Sequence, residues 1–239
     1  MYTINYVAAF YIGPNRPTPY VDAFQKDPLH FIRIHKDFLD TCNDTHIVGA
    51  TFVVVDEITP EIKNQIKECT DQCKVPITIL YRPNGGYSYG AWNEAIKRSI
   101  NDYDYFFMIE DDYIPDDRDF YVPFVARITE DTPYVCGYVG IDQGVTHAAH
   151  SNGIITKEAC KKVLENNEDL FIFVNTDKLE DGWESQRNFL SKFTDMGYNI
   201  TDITDLYLTR HMMDCYANRI AEFGNPDSRC LIQPIVVRG

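Results

Sequence analysis

The chain has 239 residues, of which 44% are hydrophobic and 24% are charged, and these values are typical of a globular protein and argue against disordered or low-complexity segments. Its formal net charge of −14 excludes the long-range positive field that attracts nucleic acid phosphates, so we expect no nucleic acid partner. No window approaches the roughly 20 apolar residues of a membrane span, and no basic stretch precedes an apolar run at the amino terminus, so we expect a cytoplasmic chain with no transmembrane segment.

Strand and helix patterns alternate through the first half of the chain. Four segments rich in β-branched or aromatic residues are predicted strands, at residues 5–12, 46–55, 77–81 and 105–109. Three predicted helices lie between them, and they open at Asp27-Pro28, Thr59-Pro60 and Tyr89. This alternation predicts an α/β fold with a doubly wound, mostly parallel sheet flanked by helices.

The second half of the chain is less regular. Residues 134–141 and 154–155 are predicted strands, residues 156–166 are a predicted helix, and residues 181–196 form another helix that stops at Gly197. No internal repeat or linker is evident, so we expect a single domain over residues 1–239.

Three consecutive acids, Glu110-Asp111-Asp112, directly follow the fourth predicted strand. Acidic turns are often plain solvated loops. Here, however, a buried strand delivers mutually repelling carboxylates to the edge of a parallel sheet, where ligands bind, and such crowding favours a bound cation. All-oxygen ligands suit Mg²⁺ or Mn²⁺. We expect Asp112 to be a direct ligand and Asp111 to contact a ribose or a metal-bound water, with Glu110 turned to the opposite side of the strand.

Two motifs together carry a family resemblance. The run from Arg82 to Ile96 contains an arginine, an Asn-Gly loop and an Ala-x-Asn helix start, and the later strand ends in Glu-Asp-Asp. In this order the motifs resemble those of glycosyltransferases of the GT-A fold, particularly the family 2 type, whose Asp-x-Asp motif is spelled Glu-Asp-Asp here. The resemblance covers about residues 4 to 210. It implies a Rossmann-like, nucleotide-sugar-dependent enzyme with Mn²⁺ or Mg²⁺ as cofactor and a glycan or other hydroxyl acceptor.

The resemblance also implies that about residues 1–112 form the nucleotide-binding half and about residues 113–239 the acceptor-binding half. Asp56 matches the acid that reads the base, and a carboxylate that accepts the imide hydrogen of uracil suits this place, so a UDP-sugar is the expected donor. The chain departs from the family after Asp56, where Glu57-Ile58-Thr59 replaces a second Asp and Gly-Ser, and this departure leaves the base open. The implied nucleotide-binding residues are Phe10, Tyr11, Asp56, Arg82, Gly86, Asn93 and Asp111.

Downstream, the run from Leu179 to Glu184 is similar to the family's Glu-Asp motif, whose aspartate is the general base of inverting enzymes. The resemblance implies Asp181 as this base, with Glu180 and Glu184 as alternatives. Asp181 and Glu184 also have the spacing of a helix capping box, which would be a purely structural role.

Further residues are implied on the acceptor side. Asn152 and Gly153 match the acceptor loop of the family, and Trp183 has the ring to stack on a sugar, although core packing is the usual role of tryptophan. His211 falls where some GT-A enzymes complete the metal or phosphate site, and the alternative is an ordinary partly buried histidine.

Other functions stay open. A sugar nucleotidyltransferase shares the sheet and the metal but normally has a Gly-rich loop with Arg and Lys after the first strand, where this chain has Gly13-Pro14-Asn15-Arg16-Pro17. A non-catalytic carbohydrate-binding module on the same scaffold is a second alternative, and a glycoside hydrolase with two carboxylates is the weakest.

Overall fold

The structure of the chain, a computed structural model, describes residues 1–12, 27–56, 58–142, 145–173, 185, 188–203, 207–209 and 229–234. The strands within these residues are β1 Ile4–Tyr11, β2 Ile47–Val55, β3 Ile77–Arg82, β4 Tyr105–Glu110, β5 Tyr113–Pro115, β6 Tyr134–Asp142, β7 Val145–Thr156, β8 Ile200–Asp202, β9 Tyr207–Thr209 and β10 Arg229–Pro234. The helices are α1 His30–Thr41, α2 Pro60–Thr70, α3 Tyr87–Ser99, α4 Val122–Val125, α5 Lys157–Leu164 and α6 Ser191–Asp195. None of these helices is long and apolar enough to cross a membrane.

A seven-stranded sheet with the order β3-β2-β1-β4-β7-β6-β8 forms the centre of the fold, beside a small sheet with the order β5-β10-β9. In the large sheet β3, β2, β1 and β4 run parallel, β7 is antiparallel to both β4 and β6, and β8 is parallel to β6. The predicted single-domain α/β fold with a mostly parallel, doubly wound sheet is therefore confirmed. The strand order reverses at β1, because β2 lies on one side of it and β4 on the other, and such a reversal is the switch point where open α/β sheets bind ligands.

Both faces of the central strand β1 are covered. Along β1, Tyr6 and Phe10 belong to a hydrophobic cluster shared with α1 and α2, whereas Val7 belongs to a second cluster on the opposite face, with Trp92 of α3 and Val163 of α5. All five side chains are at most 1% exposed. Burial on both faces explains why β1 appears in the sequence as a near-continuous apolar run.

Of the helix starts predicted from a capping residue followed by proline, one is confirmed and one is wrong. Thr59 caps α2 as predicted, because its hydroxyl accepts the backbone N–H of Ile62 at 3.4 Å. The first helix begins at His30 rather than at Asp27-Pro28, so the predicted start was wrong. Asp27 instead closes a turn ahead of the helix, where its carboxylate accepts the N–H of Leu29 at 3.0 Å and its carbonyl accepts the N–H of His30 at 3.1 Å.

The second half contains a hairpin that the sequence does not predict. Residues 154–155 are the end of the twelve-residue strand β7, which pairs along most of its length with β6 and by its end with β4. Strand formation in polar and small residues depends on such pairing rather than on intrinsic propensity.

The helix α6 lies within residues 181–196, where the sequence predicts a helix. It ends as predicted before Gly197, whose φ is +86°.

Candidate functional site

The acidic strand end lies at the switch point of the sheet. β1 and β4 pair in parallel register up to Ala9 and Glu110. Just beyond this pair, the backbone N–H of Tyr11 donates to the Oδ2 atom of Asp111 at 2.9 Å. Asp111 is only 7% exposed, whereas Asp112 is half-buried. The structure thus brings together Tyr11 and the acidic turn, which the sequence assigned to one nucleotide and metal site.

Glu110 faces a different element. The hydroxyl of Ser88, in the first turn of α3, donates to the Oε1 atom of Glu110 at 2.9 Å. The backbone N–H of Glu110 donates to the Oδ1 atom of Asn152 at 2.9 Å, just beyond the last paired residues of β4 and β7. Glu110 and Asp111 therefore contact different elements, α3 and β1 respectively.

A buried histidine on α1, His35, which was not among the predicted site residues, is hydrogen-bonded to the backbone of the acidic turn. The Nε2 atom of His35, on α1, lies 2.9 Å from the carbonyl oxygen of Asp111, and its Nδ1 atom lies 2.7 Å from the hydroxyl oxygen of Tyr6. Burial lowers the pKa of His35 from 6.5 to about 3, so the ring is neutral at ordinary pH. The available signal was its spacing, because Phe31, His35 and Leu39 lie four residues apart on the buried face of α1.

The backbone is strained at the neighbouring strand ends. Within the described chain two residues other than glycine have a left-handed φ, Asp56 at 105° directly after β2 and Tyr87 at 51° as the first residue of α3. Such conformations cost on the order of 1–3 kcal/mol each and cluster at functional sites. Gly86 also has a positive φ, of 74°, and a Cβ atom added there would meet the ring of Phe173. Of the residues expected to bind the nucleotide, Asp56 is therefore itself strained and Gly86 directly precedes the strained Tyr87.

Arg82 and Asn93 are engaged by protein groups. The Nη1 atom of Arg82 donates to the carbonyl oxygen of Gly85 at 2.8 Å, and its Nε atom lies 3.3 Å from the Oε2 atom of Glu94. The Arg82 side chain is 15% exposed, which differs from a freely exposed surface arginine. Asn93 bonds the segment 169–170 twice, because its Nδ2 donates to a carboxylate at 2.6 Å and its Oδ1 accepts a backbone N–H at 2.8 Å. Arg82 thus joins α3 to the end of β3, and Asn93 joins α3 to the segment 169–170. Contact of either side chain with a nucleotide stays a prediction.

The remaining predicted residues divide into buried ones and ones outside the described chain. Phe10 is 1% exposed and packs beneath the end of β1, with its ring centroid 4.8 Å from that of Phe52. Asn152 and Gly153 lie inside strand β7 rather than in a loop, and a Cβ atom at Gly153 would be 2.5 Å from the carbonyl oxygen of Val135. The predicted residues outside the described chain are Glu180, Asp181, Trp183, Glu184 and His211.

The donor chemistry of the acidic turn fits a hard divalent cation. Asp111 and Asp112 supply carboxylate oxygens from adjacent residues. Mg²⁺ is usually held by one or two carboxylates, together with waters and the phosphates of a substrate, rather than by a full protein cage. The described residues contain no group of three or more His, Cys, Asp or Glu side chains that could hold a metal.

Two cavities lie away from the switch point. One, of about 710 Å³, lies beside α3 and is lined by residues that include Arg82, Glu94 and Phe173. The other, of about 990 Å³, lies at the amino end of the parallel strands and is lined by residues that include Tyr105 and Lys157. No residue from the carboxyl end of β1 or β4 lines either cavity.

Comparison with known proteins identifies the fold. No family model matches the chain, and no curated protein matches its sequence. Solved structures do match, and the predicted GT-A-type fold, shared by nucleotide-diphospho-sugar transferases and cytidylyltransferases, is confirmed.

Three of these structures illustrate the match. A 4-diphosphocytidyl-2C-methyl-D-erythritol synthase from Anaerococcus prevotii is 12% identical, with a TM-score of 0.53, and the match covers 84% of this chain and 86% of that one. A mannosyltransferase from Pyrobaculum calidifontis, in complex with GDP-Man and Mn²⁺, is 13% identical with a TM-score of 0.52, covering 84% of this chain. This chain spans only 55% of that mannosyltransferase. A cytidylyltransferase from Leptospira borgpetersenii is 9% identical with a TM-score of 0.50, covering 85% and 76% of the two chains. At these identities the likeness concerns the fold alone.

Proposed function

We propose that the chain is a glycosyltransferase that moves a sugar from a nucleotide-diphosphate donor, a UDP-sugar, to a hydroxyl group of a glycan or another acceptor, with Mn²⁺ or Mg²⁺ as cofactor. The observation that carries the proposal is the bond from the Tyr11 amide to the Asp111 carboxylate, since it holds an acidic turn at the switch point of the sheet. The mannosyltransferase with the same fold, which has GDP-Man and Mn²⁺ bound, supports this function.

On the donor side, Asp112 and Asp111 would hold the cation. A divalent cation held by these carboxylates would supply the positive charge that offsets the negative charge on the leaving nucleotide. Asp56 would accept the imide hydrogen of the base from its strained position after β2, and Tyr11 would lie under the base. Arg82 and the backbone of Gly86 would face the donor from the connection after β3.

On the acceptor side, we propose Asp181 as the general base of an inverting displacement. A base must lie within hydrogen-bond reach of the attacking hydroxyl, on the face opposite the leaving nucleotide. Glu180 and Glu184 are the neighbouring candidates for the same role. An acceptor contact is proposed for Trp183 and a third metal ligand for His211, whereas Asn152 and Gly153 are buried within β7.

A thermal-shift panel of nucleotide sugars, each with and without Mn²⁺, tests the donor proposal. A ligand at about 100 times its Kd stabilises the folded state by about 2.7 kcal/mol, which raises the Tm of a chain of this size by roughly 5–10 °C. We expect a UDP-sugar to give this shift only when Mn²⁺ is present. No shift with any nucleotide sugar would contradict the proposal.

The variant Asp112→Ala tests the acidic turn itself. It should abolish turnover and Mn²⁺-dependent donor binding, whereas a non-catalytic carbohydrate-binding module would keep its glycan affinity. Asp119→Ala is the matched control, because Asp119 is an exposed aspartate in the connection that follows the turn. Equal loss in both variants would argue against a specific role for Asp112.

Proton NMR of the product tests the base. Inversion at the anomeric carbon, together with loss of turnover but not of donor binding in Asp181→Asn, is the expected result. If the transferred sugar keeps the configuration it had in the donor, Asp181 is not an inverting base.

A sugar nucleotidyltransferase is the second candidate. The observation in its favour is that the synthase from Anaerococcus prevotii matches over 86% of its own length, against 55% for the mannosyltransferase. Product analysis separates the two functions. Pyrophosphate released from CTP or another triphosphate in the presence of a sugar phosphate would support the nucleotidyltransferase, and free nucleoside diphosphate released from a nucleotide sugar would support sugar transfer.

A further inference from the structure

A buried polar pair, Tyr6 and His35, stands in the aromatic core behind the acidic turn. Both side chains have 0% exposure, and the His35 ring lies among aromatic rings, with its centroid 5.1 Å from that of Phe10 and 6.4 Å from that of Phe52. Polar groups in such surroundings are costly unless every donor and acceptor is bonded. Here both ring nitrogens have partners, and one partner is the turn that carries Asp111.

The two bonds define which ring nitrogen carries the proton. A carbonyl oxygen can only accept, so the contact with the Asp111 carbonyl requires hydrogen on the Nε2 atom of His35. In the neutral ring the Nδ1 atom must then accept, and the hydroxyl of Tyr6 is the donor. Tyr6 on β1 therefore selects the Nε2-protonated tautomer of His35 on α1, and this tautomer donates to the Asp111 carbonyl oxygen just after β4.

Asp111 is anchored at two points. His35 holds its carbonyl oxygen, and the N–H of Tyr11 holds its carboxylate. Because the peptide bond is planar, fixing this carbonyl also fixes the orientation of the amide of Asp112 and the direction in which its Cα atom follows.

We propose that His35 is a positioning residue that orients the metal-binding carboxylate of Asp112 by fixing the peptide between Asp111 and Asp112. Tyr6 contributes by setting the tautomer of His35. This inference rests on the proposed function, because it assigns His35 a role toward the cation of that site. It does not make His35 a ligand.

Mn²⁺ binding by the full chain, measured from the electron paramagnetic resonance signal of the free ion, tests the inference without relying on turnover. His35→Leu removes both hydrogen bonds at similar volume, and loss of a partner that orients a metal ligand weakens metal binding by roughly 10- to 100-fold. His35→Gln should recover most of the affinity, because its amide nitrogen can occupy the place of Nε2. Tyr6→Phe should weaken Mn²⁺ binding less than His35→Leu does.

The tautomer provides a spectroscopic readout. Long-range proton–nitrogen NMR spectra of the wild type should show His35 as the Nε2-protonated neutral form, and those of Tyr6→Phe should show a mixture of the two tautomers. Should His35→Leu fail to fold, the comparison of Tyr6→Phe and His35→Gln with the wild type tests the same point.

Val163→Ala is the structural control. Val163 is fully buried in the hydrophobic cluster on the other face of the sheet, so its truncation should lower the Tm and leave Mn²⁺ affinity unchanged. If the wild type binds Mn²⁺ and folded His35→Leu binds it equally tightly, the positioning role is overturned and the proposed function stands. If the wild type binds no Mn²⁺ in the presence or absence of a nucleotide sugar, both are overturned.

Discussion

His35 should make the stability of the protein strongly dependent on pH between 7 and 5. Its folded-state pKa of about 3 lies below the ordinary 6.5 because the ring is buried. In the unfolded chain the ring takes up a proton as the pH falls through 6.5, whereas the native ring stays neutral until about pH 3. The unfolded state therefore binds more protons throughout this window, so the contribution of His35 is fully present above pH 6.5 and is lost progressively as the pH falls.

The size of the effect follows from the two pKa values. A pKa difference contributes about 1.4 kcal/mol per unit, and integration between pH 7 and pH 5 gives a loss of about 2 kcal/mol in the free energy of unfolding. Any folded-state pKa below about 4 gives nearly the same loss, because the native ring is then neutral over the whole interval.

Urea unfolding at pH 7 and pH 5, followed by the fluorescence of the buried Trp92 and extrapolated linearly to zero denaturant, measures the loss. The matched variant His35→Gln does not titrate, so its loss between these pH values should be smaller than that of the wild type by about 2 kcal/mol. Tyr6→Phe keeps the buried ring and should keep the pH dependence. Equal losses in the wild type and His35→Gln would refute the buried, neutral ring.

Two further substitutions test the strand ends. Gly86→Ala should lower the free energy of unfolding by on the order of 1–3 kcal/mol because of its left-handed backbone, and by more because the new Cβ atom meets the Phe173 ring. Gly197→Ala, also at positive φ but with no atom within 4 Å of its Cβ position, measures the backbone part alone by chemical denaturation. Equal losses in the two variants would show that the Phe173 ring moves aside without cost. Asn152→Leu leaves the backbone N–H of Glu110 without its 2.9 Å partner, so unfolding should become easier by about 1–3 kcal/mol, and an unchanged midpoint would contradict this support for the turn.

The parallel strands could be predicted closely from the sequence. Residues 46–55 and 77–81 were the predictions for β2 and β3, against Ile47–Val55 and Ile77–Arg82 in the structure. β2 is buried along most of its length and leaves a nearly continuous apolar run, whereas the partly exposed edge strand β3 is marked by β-branched and aromatic residues. Both runs are bounded by polar turns that can be recognised without knowing the partner strand. The position of Glu110-Asp111-Asp112 at the end of β4 follows from the same local pattern.

Strand β7 and the support of the site could not be predicted in this way. Most of β7 is a strand because it pairs with β6, and its end because it also pairs with β4, so local composition indicated only its last residues. Asn152 accordingly appeared as a loop residue, whereas the structure has its side chain bonded to the end of β4.

The sequence by itself determined the alternation of strands and helices and the acidic end of β4, because hydrophobic periodicity and turn chemistry act over neighbouring residues. Only the tertiary structure decided what holds that acidic end. Its supports come from residues far apart along the chain, with His35 29 positions from Tyr6 and 76 from Asp111, and Tyr11 100 positions from Asp111. Hydrogen bonds of this kind depend on which strands become neighbours, and local patterns do not contain that information.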